Sequence, residues 1–181
     1  LDFSAGTQTL ITGANFAGAG LFRINGSGVL DIAAPLTVTP AFELAPSGML
    51  SGTNTVIFAG PFTWSGGTMA TTAGRTVFTN TATVSFTTGN TKTYQQRTVD
   101  NYTTINWTAG SMNIGFGGTW NNYGTLDIQG DLNTGFLGGG IPVFNNFGTL
   151  RKSAGAGAAS FGFAVNNAGT VRSQSGTFGV P

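Results

Sequence analysis

The chain offers few side chains that could perform catalysis. Its 181 residues include no His and no Cys, so the commonest general base and the thiolate metal ligands are missing. Paired carboxylates are the remaining candidates for catalysis. Hydrolases and lyases that act on polysaccharides need acidic groups that converge on one face. Asp127 and Asp131 are the only close acidic pair, and Gly130 between them indicates a turn. We therefore interpret both as solvated turn residues and predict that the chain is not an enzyme.

Other classes of ligand are also disfavoured by composition. Lys92, Arg97 and Asp100 lie near one another, but we interpret residues 92–97 as a polar outer strand rather than a site. No Gly-Gly-x-Gly-x-Asp calcium repeat occurs, and we predict no metal and no cofactor. A net charge of +1 with only 7% charged residues argues against a nucleic-acid partner. The apolar stretches fall short of the ~20 residues that span a bilayer, so we predict no membrane span.

The elements that would position these residues are set by a repeat. Asn101, Asn122, Asn146 and Asn167 each begin a five-residue motif that ends on an apolar residue, and their spacings are 21, 24 and 21. Asn80 begins a related motif another 21 residues earlier. A period of this length with β-type composition is typical of one coil of a parallel β-solenoid.

The apolar positions extend the repeat over the whole chain. The residue that ends the motif belongs to a series with steps of 20 to 24, which we interpret as one inward-facing core column: Leu1, Phe22, Phe42, Phe62, Val84, Ile105, Leu126, Leu150 and Val171. The residues two positions after the anchors form a second apolar column, from Phe3 to Ile128. They lie on the same strand face as the anchors, since alternate residues share a face. That second column fails at Lys152 and Ser173, which indicates either wider, wetter last coils or a register slip.

Gly and Asn mark the corners between strands. The 30 glycines reach positive φ without a Cβ penalty, and they divide each coil into three short strands. Asn also tolerates the left-handed region, so we predict a corner ladder of amides that hydrogen-bond from coil to coil, formed by Asn80, Asn101, Asn122, Asn146 and Asn167. The predicted fold is all-β: a single parallel β-solenoid domain over residues 1–181, with about 8–9 coils of 20–24 residues.

The recurring Asn-Asn-x-Gly-Thr-Leu pattern resembles a known group of proteins. Together with Trp64-Ser65-Gly66-Gly67-Thr68-Met69 and its variant at 107–112, it is similar to the coils of repetitive bacterial surface β-solenoids of the autotransporter-passenger and filamentous-haemagglutinin type. The resemblance covers nearly the whole chain and implies an adhesin, a stalk or an extracellular fibre. The Thr- and Asn-rich, Cys-free composition likewise leads us to expect an extracellular or cell-surface location.

The ends of the predicted rod suggest how it is used. Leu1 to Phe3 already match a core strand, residues 171–180 still follow the repeat, and no amphipathic capping helix is visible. The chain lacks an initiator Met, and we interpret it as a processed or excised piece of a longer product. Bare strand edges pair with further strands, and head-to-tail stacking does not close, so it gives a filament. The predicted partner is therefore the chain itself or the neighbouring coils of a longer chain.

An outward column next to the core anchors would set the register of that contact. It reads Asp2, Arg23, Glu43, Thr63, Ser85, Asn106, Asp127, Arg151 and Arg172, with three neighbouring pairs of opposite sign. In a continued stack, Asp2 of one copy would lie over Arg172 of the next. We predict a subunit interface that contains Asp2, Phe3, Arg172 and Val180.

These observations lead to one expected function and three alternatives. We expect a structural subunit of an extracellular filament that assembles by end-to-end strand stacking. The first alternative is a segment of a long adhesin stalk that binds a surface or carbohydrate. The others are a polysaccharide-acting β-helix enzyme and an ice-binding solenoid, the latter suggested by the Thr column from Thr83 to Thr170. The column that would pair with it, at Asp127, Arg151 and Arg172, is charged and irregular.

Overall fold

A computed structural model describes residues 1–71 and 73–181 of the chain. Within those residues it contains strands, turns and bends but no helix. The chain winds as a parallel β-solenoid of about 8 turns with three strand sheets per coil. The predicted fold class is thereby confirmed. No helix in the described part of the chain is long and apolar enough to cross a membrane.

The strands are short because a corner interrupts the chain every few residues. In chain order they are β1 (Asp2–Phe3), β2 (Thr7–Leu10), β3 (Phe22–Ile24), β4 (Val29–Ile32), β5 (Leu36–Val38), β6 (Phe42–Leu44), β7 (Met49–Ser51), β8 (Thr55–Phe58), β9 (Phe62–Trp64), β10 (Gly67–Ala70), β11 (Arg75–Phe78), β12 (Val84–Phe86), β13 (Lys92–Gln95), β14 (Thr98–Asn101), β15 (Thr104–Trp107), β16 (Met112–Gly115), β17 (Thr119–Asn122), β18 (Thr125–Gln129), β19 (Thr134–Phe136), β20 (Val143–Asn146), β21 (Thr149–Ala154), β22 (Ala158–Ser160), β23 (Val165–Asn167), β24 (Thr170–Ser173) and β25 (Thr177–Gly179).

Three sheets form the sides of the solenoid. Sheet 1 has nine strands in the order β1-β3-β6-β9-β12-β15-β18-β21-β24. Sheet 2 runs β2-β4-β7-β10-β13-β16-β19, and sheet 3 runs β5-β8-β11-β14-β17-β20-β23. A fourth, two-stranded sheet joins β22 to β25 and continues the side of sheet 2, which it meets through one bridge between Asn133 and Ser160. All of these pairings are parallel, as winding in one direction requires.

Alternation along each strand fills the interior with large apolar side chains. The anchor column pairs in one continuous register from Phe22 to Val171. Its members from Phe42 to Leu150 are at most 1% exposed. Consecutive strands bring aromatic rings together across a corner, as between Phe58 and Phe62 with ring centroids 4.4 Å apart, and neighbouring coils stack them, as between Phe58 and Phe78 at 5.8 Å. Burying such rings is the main apolar contribution to this thin core.

The two ends of the anchor column are exceptions. Leu1 is 69% exposed and Val171 is 40% exposed, although both were predicted to face inward. A side chain in a stacked column is buried by the coils on either side of it, and each of these residues has a neighbouring coil on one side. The exposed ends of the column therefore form apolar surface at the two tips of the rod.

Lys152 keeps the register of the second core column. It pairs with Ile128 and is fully buried, so the register slip, one of the two explanations left open by the sequence, does not occur at Lys152. A shift follows one residue later, between Ile128 and Gln129. The Lys152 stem takes the apolar position, and its Nζ donates to the corner carbonyls of Ala154, Gly155 and Ser175 at 2.6 to 3.0 Å. A long side chain can bury its stem while its amine reaches polar partners.

Residues 92–97 are not a polar outer strand, so that prediction is wrong. Lys92 and Tyr94 are 0% exposed and Arg97 is 1% exposed. Lys92 Nζ donates to the carbonyls of Thr88, Asn90 and Ala109 at 3.0 to 3.2 Å. Arg97 donates to Thr76 Oγ1 at 2.7 Å and to the carbonyls of Gly52 and Arg75. These cations satisfy backbone oxygens that the corners remove from the strand ladder.

The pH dependence of stability should reveal the buried lysine. Burial lowers the pKa of Lys92 from 10.5 to about 8. Above about pH 8 the unfolded chain therefore holds more protons than the folded chain, so the free energy of unfolding should rise with pH, by at most about 1.4 kcal/mol per unit. Burial also raises the pKa of Tyr94, which lowers stability above about pH 10. We expect urea titrations between about pH 8 and 9.5 to show the rise.

Two variants provide the controls for this measurement. Lys92→Met should abolish the rise, because it removes the titrating amine. Arg172→Met removes an exposed cation from the last coil and should retain the rise. Equal slopes for the wild type and Lys92→Met would show that another group causes the pH dependence.

Candidate functional site

A row of buried amides lies at the corner between sheets 3 and 1. Asn101 Nδ2 donates to Asn122 Oδ1 at 2.8 Å, Asn122 Nδ2 to Asn146 Oδ1 at 2.8 Å, and Asn146 Nδ2 to Asn167 Oδ1 at 2.6 Å. Each of the three donors also bonds a Thr carbonyl, at Thr125, Thr149 and Thr170. Both hydrogens of each amide are thus used, which makes the buried position tolerable.

Asn80 lies outside this row, which corrects the predicted ladder. The residue that pairs with Asn101 on the preceding coil is Phe78, and Asn80 is exposed. Five residues separate Phe78 from Val84, whereas three separate Asn101 from Ile105. The two additional residues belong to a turn closed by Ala82 N–H and the Thr79 carbonyl. The interval of 21 from Asn80 to Asn101 therefore does not mark equivalent positions.

The column that contains these asparagines holds different residue types in the earlier coils. In the earlier coils it consists of Val38, Phe58 and Phe78, and from Asn101 onward it consists of asparagine. Asn101, Asn122 and Asn146 are 0% exposed, whereas Asn167 in the second-last coil is exposed. The amide row therefore reaches the surface near the end of the solenoid.

At the C-terminal end, β24 is the outermost strand of sheet 1, and its outer edge has no strand partner within the described residues. All four of its side chains are exposed. Thr170 N–H and Gln174 N–H donate to the preceding coil, to Gly148 O and Lys152 O at 2.8 Å. Because the direction of the backbone groups alternates in a parallel strand, the N–H and C=O groups of Val171 and Ser173 point away from that coil. They form a free row of donors and acceptors at the tip.

The N-terminal end is open on two sides and covered on the third. Arg23 N–H bonds Leu1 O at 2.9 Å, so by the same alternation the backbone groups of Asp2 in β1 point outward. Strand β2 is likewise the edge of sheet 2. Beside the edge of sheet 3, residues 11–21 form an irregular segment whose Phe16 is 8% exposed and packs on Phe22 at 4.7 Å. At the N-terminal tip, the expectation of uncovered strand edges therefore holds for sheets 1 and 2 but not for sheet 3.

The charged column beside the anchors contains two ion pairs. Arg23 holds Asp2 through two hydrogen bonds of 2.7 and 2.8 Å, and Arg151 lies 2.8 Å from Asp127. The Arg23 hydrogen bond lowers the pKa of the exposed Asp2 carboxyl. Glu43 instead accepts from Ser65 Oγ. Arg172 pairs in register with Arg151 and makes no ion pair within the described residues.

The remaining predicted interface residues lie at the same tips. Phe3 is half-buried in β1, next to Asp2. Val180 is half-buried and follows β25 directly, beyond Phe178, which is partly buried and packs against the core. Strands β24 and β25 belong to one coil, so Arg172 and Val180 lie on different sides of the same end. The structure thus places Asp2 and Phe3 at one tip, and Arg172 and Val180 at the other.

The acidic residues considered for catalysis are held in ion pairs. The interpretation of Asp127 as a solvated turn residue is wrong, because it lies within β18, is 2% exposed and accepts hydrogen bonds from Arg151 and Gln129. Asp131 accepts from Gly157 N–H and lies 3.0 Å from Lys152 Nζ, and the Lys152 hydrogen bond lowers its pKa. Among the residues described, no group of three or more acidic side chains is arranged to hold a metal ion.

One exposed feature was missed by the sequence reasoning. Tyr102, Tyr123 and Phe147 follow the ladder asparagines and stack on the outside of the corner, with ring centroids 4.8 and 5.0 Å apart. The signal was present in the repeat, because an aromatic residue follows the motif Asn three times. The motif predicts the corner residues, but it does not predict that the side chains after each Asn face outward in one column.

Comparisons with known proteins leave the function open. No protein-family model matches the chain, and the searches of curated proteins and of solved structures found no match either.

The contribution of the amide row can be tested at Asn122. Asn122→Leu keeps a similar volume but removes three hydrogen bonds, with Asn101, Asn146 and Thr149. It leaves buried polar groups without partners, which costs about 1–3 kcal/mol for each such group. We expect urea unfolding to show a loss of at least this size. The matched change Asn80→Leu, at an exposed position, should stay within about 0.5 kcal/mol of the wild type. A similar loss for both variants would contradict the ladder assignment.

Proposed function

We propose that this chain is a non-catalytic structural subunit of an extracellular fibre, in which copies stack end to end through β-strand pairing. The supporting observation is the outer edge of β24, where the backbone groups of Val171 and Ser173 have no strand partner among the described residues. Such an edge is a template for another strand. The Asp2 backbone groups of a second copy would supply the complementary edge. A contact of this kind joins two different surfaces and therefore propagates without closing.

Charge complementarity supports the same register. The last two coils place Arg151 next to Arg172, and like charges in neighbouring coils repel each other. A second copy would place Asp2 against Arg172 and so relieve this repulsion. It would also cover the exposed anchors Val171 and Leu1 with each other. Apolar burial and strand pairing would provide most of the affinity, because an exposed ion pair contributes only about 0–1 kcal/mol.

The pairing of the acidic residues supports a non-catalytic role. The chain has six Asp and Glu residues, and within the described residues four of them take part in ion pairs. A general acid or base must instead face a substrate with a free oxygen. The proposed extracellular location is supported by the Thr- and Asn-rich, Cys-free composition and by the resemblance to bacterial surface solenoids.

A second candidate function uses the same edges within one polypeptide. In a long adhesin stalk, the coil before β1 and the coil that pairs with the outer edge of β24 would belong to the same polypeptide chain. The intact mass of native material separates the two candidates. A fibre consists of repeating units of about the mass of this chain, 18.4 kDa, whereas a stalk is one much longer covalent chain.

A proline at Ser173 tests strand pairing at the tip. Pro lacks the N–H group, and the Ser173 N–H points away from the chain's own coils, so Ser173→Pro should leave the folded subunit intact. We expect it to abolish filaments in negative-stain microscopy and sedimentation. Ser173→Thr retains the N–H and should still assemble. Filaments of Ser173→Pro, or a wild-type chain that stays monomeric at high concentration, would contradict the proposal.

Charge reversal at Arg172 tests the register. Arg172→Asp would place a carboxylate against Asp2 of the next copy, so the critical concentration for assembly should rise a few-fold at low salt, with a smaller effect at high salt. The same change brings an acid next to Arg151 and should not destabilise the monomer. Arg172→Gln should give an intermediate value. An unchanged critical concentration for Arg172→Asp would disprove the proposed register.

A further inference from the structure

The side of the rod carries an exposed row of three aromatic rings. Tyr102, Tyr123 and Phe147 are 45%, 43% and 48% exposed, and their planes are within 7° and 11° of parallel. The ring centroids lie 4.8 and 5.0 Å apart, so each ring stacks on its neighbour in the next coil. Because nearly half of each residue remains exposed, the row presents a continuous aromatic surface to solvent.

Hydrogen-bonding groups flank this row on both sides. On the sheet 3 side, Asn145 Nδ2 donates to Asn121 Oδ1 and Asn166 Nδ2 donates to Asn145 Oδ1, both at 2.9 Å. Each of these outward amides retains one further N–H group. On the sheet 1 side, a column of Thr residues stands in register, with Thr125 paired to Thr149. Amides, rings and hydroxyls thus run as parallel rows along the rod axis.

Glycine keeps the surface between the rings and the Thr column clear. Gly124 and Gly148 occupy this strip, and a Cβ at either position would lie 2.1 Å from a backbone oxygen of the preceding coil. No side chain can be added there without moving the coil. The strip is therefore bare backbone beside Tyr123 and Phe147, with rings along one side and hydroxyls along the other. Beside Tyr102 the equivalent position holds Thr103, whose Oγ1 donates to the Ala82 carbonyl. We call these rows together the aromatic corner: Tyr102, Tyr123, Phe147, Gly124, Gly148, Thr125 and Thr149.

Two ion pairs lie close in sequence to the aromatic corner. Their carboxylates are buried and their arginines, Arg75 and Arg151, are 49% and 35% exposed, so each pair carries no net charge. Asp100, two residues before Tyr102, is fully buried and paired with Arg75. Asp127, two residues after Thr125, is 2% exposed and paired with Arg151. A ligand recognised here gains little from carrying a net charge. It gains from apolar faces that stack on rings and from hydroxyl groups that bond amides and Thr side chains.

We propose that the aromatic corner binds a neutral polysaccharide chain that lies along the rod axis. A sugar ring has a C–H-rich face that stacks on an aromatic ring and hydroxyl groups at its rim, so one unit uses both kinds of surface. The coil repeat offers the same contacts several times, which suits a polymer of repeating units. The site lies on the side of the rod and is independent of end-to-end assembly, so the two proposals can fail separately.

Affinity electrophoresis of the monomeric chain tests this inference. Native gels would contain hydroxyethyl cellulose, galactomannan or dextran as neutral probes, and polygalacturonate as the acidic comparison. We expect at least one neutral polymer to retard the wild type. Tyr123→Leu keeps apolar contact with its neighbours but removes a ring, and should weaken binding about tenfold, or about 1.4 kcal/mol. Tyr123→Phe keeps the ring and should retain most of the binding.

Further variants separate binding from folding. Replacement of all three rings by Leu should abolish retardation, while Phe136→Leu, at an exposed ring elsewhere (49% exposed), should leave it unchanged. Fluorescence of the three buried tryptophans checks that each variant is folded. Should the triple variant unfold, the comparison of Tyr123→Leu with Tyr123→Phe decides. No retardation by any neutral polymer, equal retardation of Tyr123→Leu and the wild type, or retardation by polygalacturonate alone would overturn the proposal.

Discussion

Parallel pairing between successive coils is the constraint on which the rest of this molecule depends. Each strand bonds the equivalent strand of the next coil, so equivalent residues lie directly over one another along the rod. A residue type that occurs once in a coil therefore becomes a column when the repeat is kept. Apolar columns make the core, asparagine columns make hydrogen-bonded ladders, and aromatic columns make stacked rings. A residue type repeated at one position of each coil therefore forms a continuous surface along the rod.

The corners interrupt this pairing, and polar side chains bond the backbone there. A corner directs backbone carbonyls away from the strand ladder, and buried carbonyls need donors. The solenoid supplies those donors in two ways. Asn122 and its neighbours extend amides from coil to coil, while Lys92, Arg97 and Lys152 bring amines and a guanidinium to single corners. A chain so poor in charged residues thus uses nearly half of its seven cations to stabilise its interior.

The tips and the sides of the rod offer different kinds of contact. At the tips, strand edges and exposed core anchors are the surfaces that the proposed end-to-end contact would use, with Asp2 and Arg172 selecting its register. Along the sides, backbone groups are already paired, so recognition falls to side chains such as Tyr102 and Tyr123. The irregular segment at residues 11–21 covers the edge of sheet 3 at the N-terminal tip, so the proposed contact there would use sheets 1 and 2. A fibre subunit of this design could grow through its ends while its sides remain free for a ligand.

The sequence by itself determined the fold and most of the register. The interval between apolar anchors, the paired Asn motifs and the glycine corners predicted the three-stranded coil, because in-register stacking requires a constant repeat. It failed where corner length changed, as at Asn80, since a distance along the chain counts residues and not positions in a coil. It also failed at Lys92, Arg97 and Lys152, because composition predicts exposure for a charged residue unless the partner groups are known. Only the tertiary structure brought corner carbonyls within reach of those cations, folded Phe16 into the end of the core, and showed which strand edges remain free.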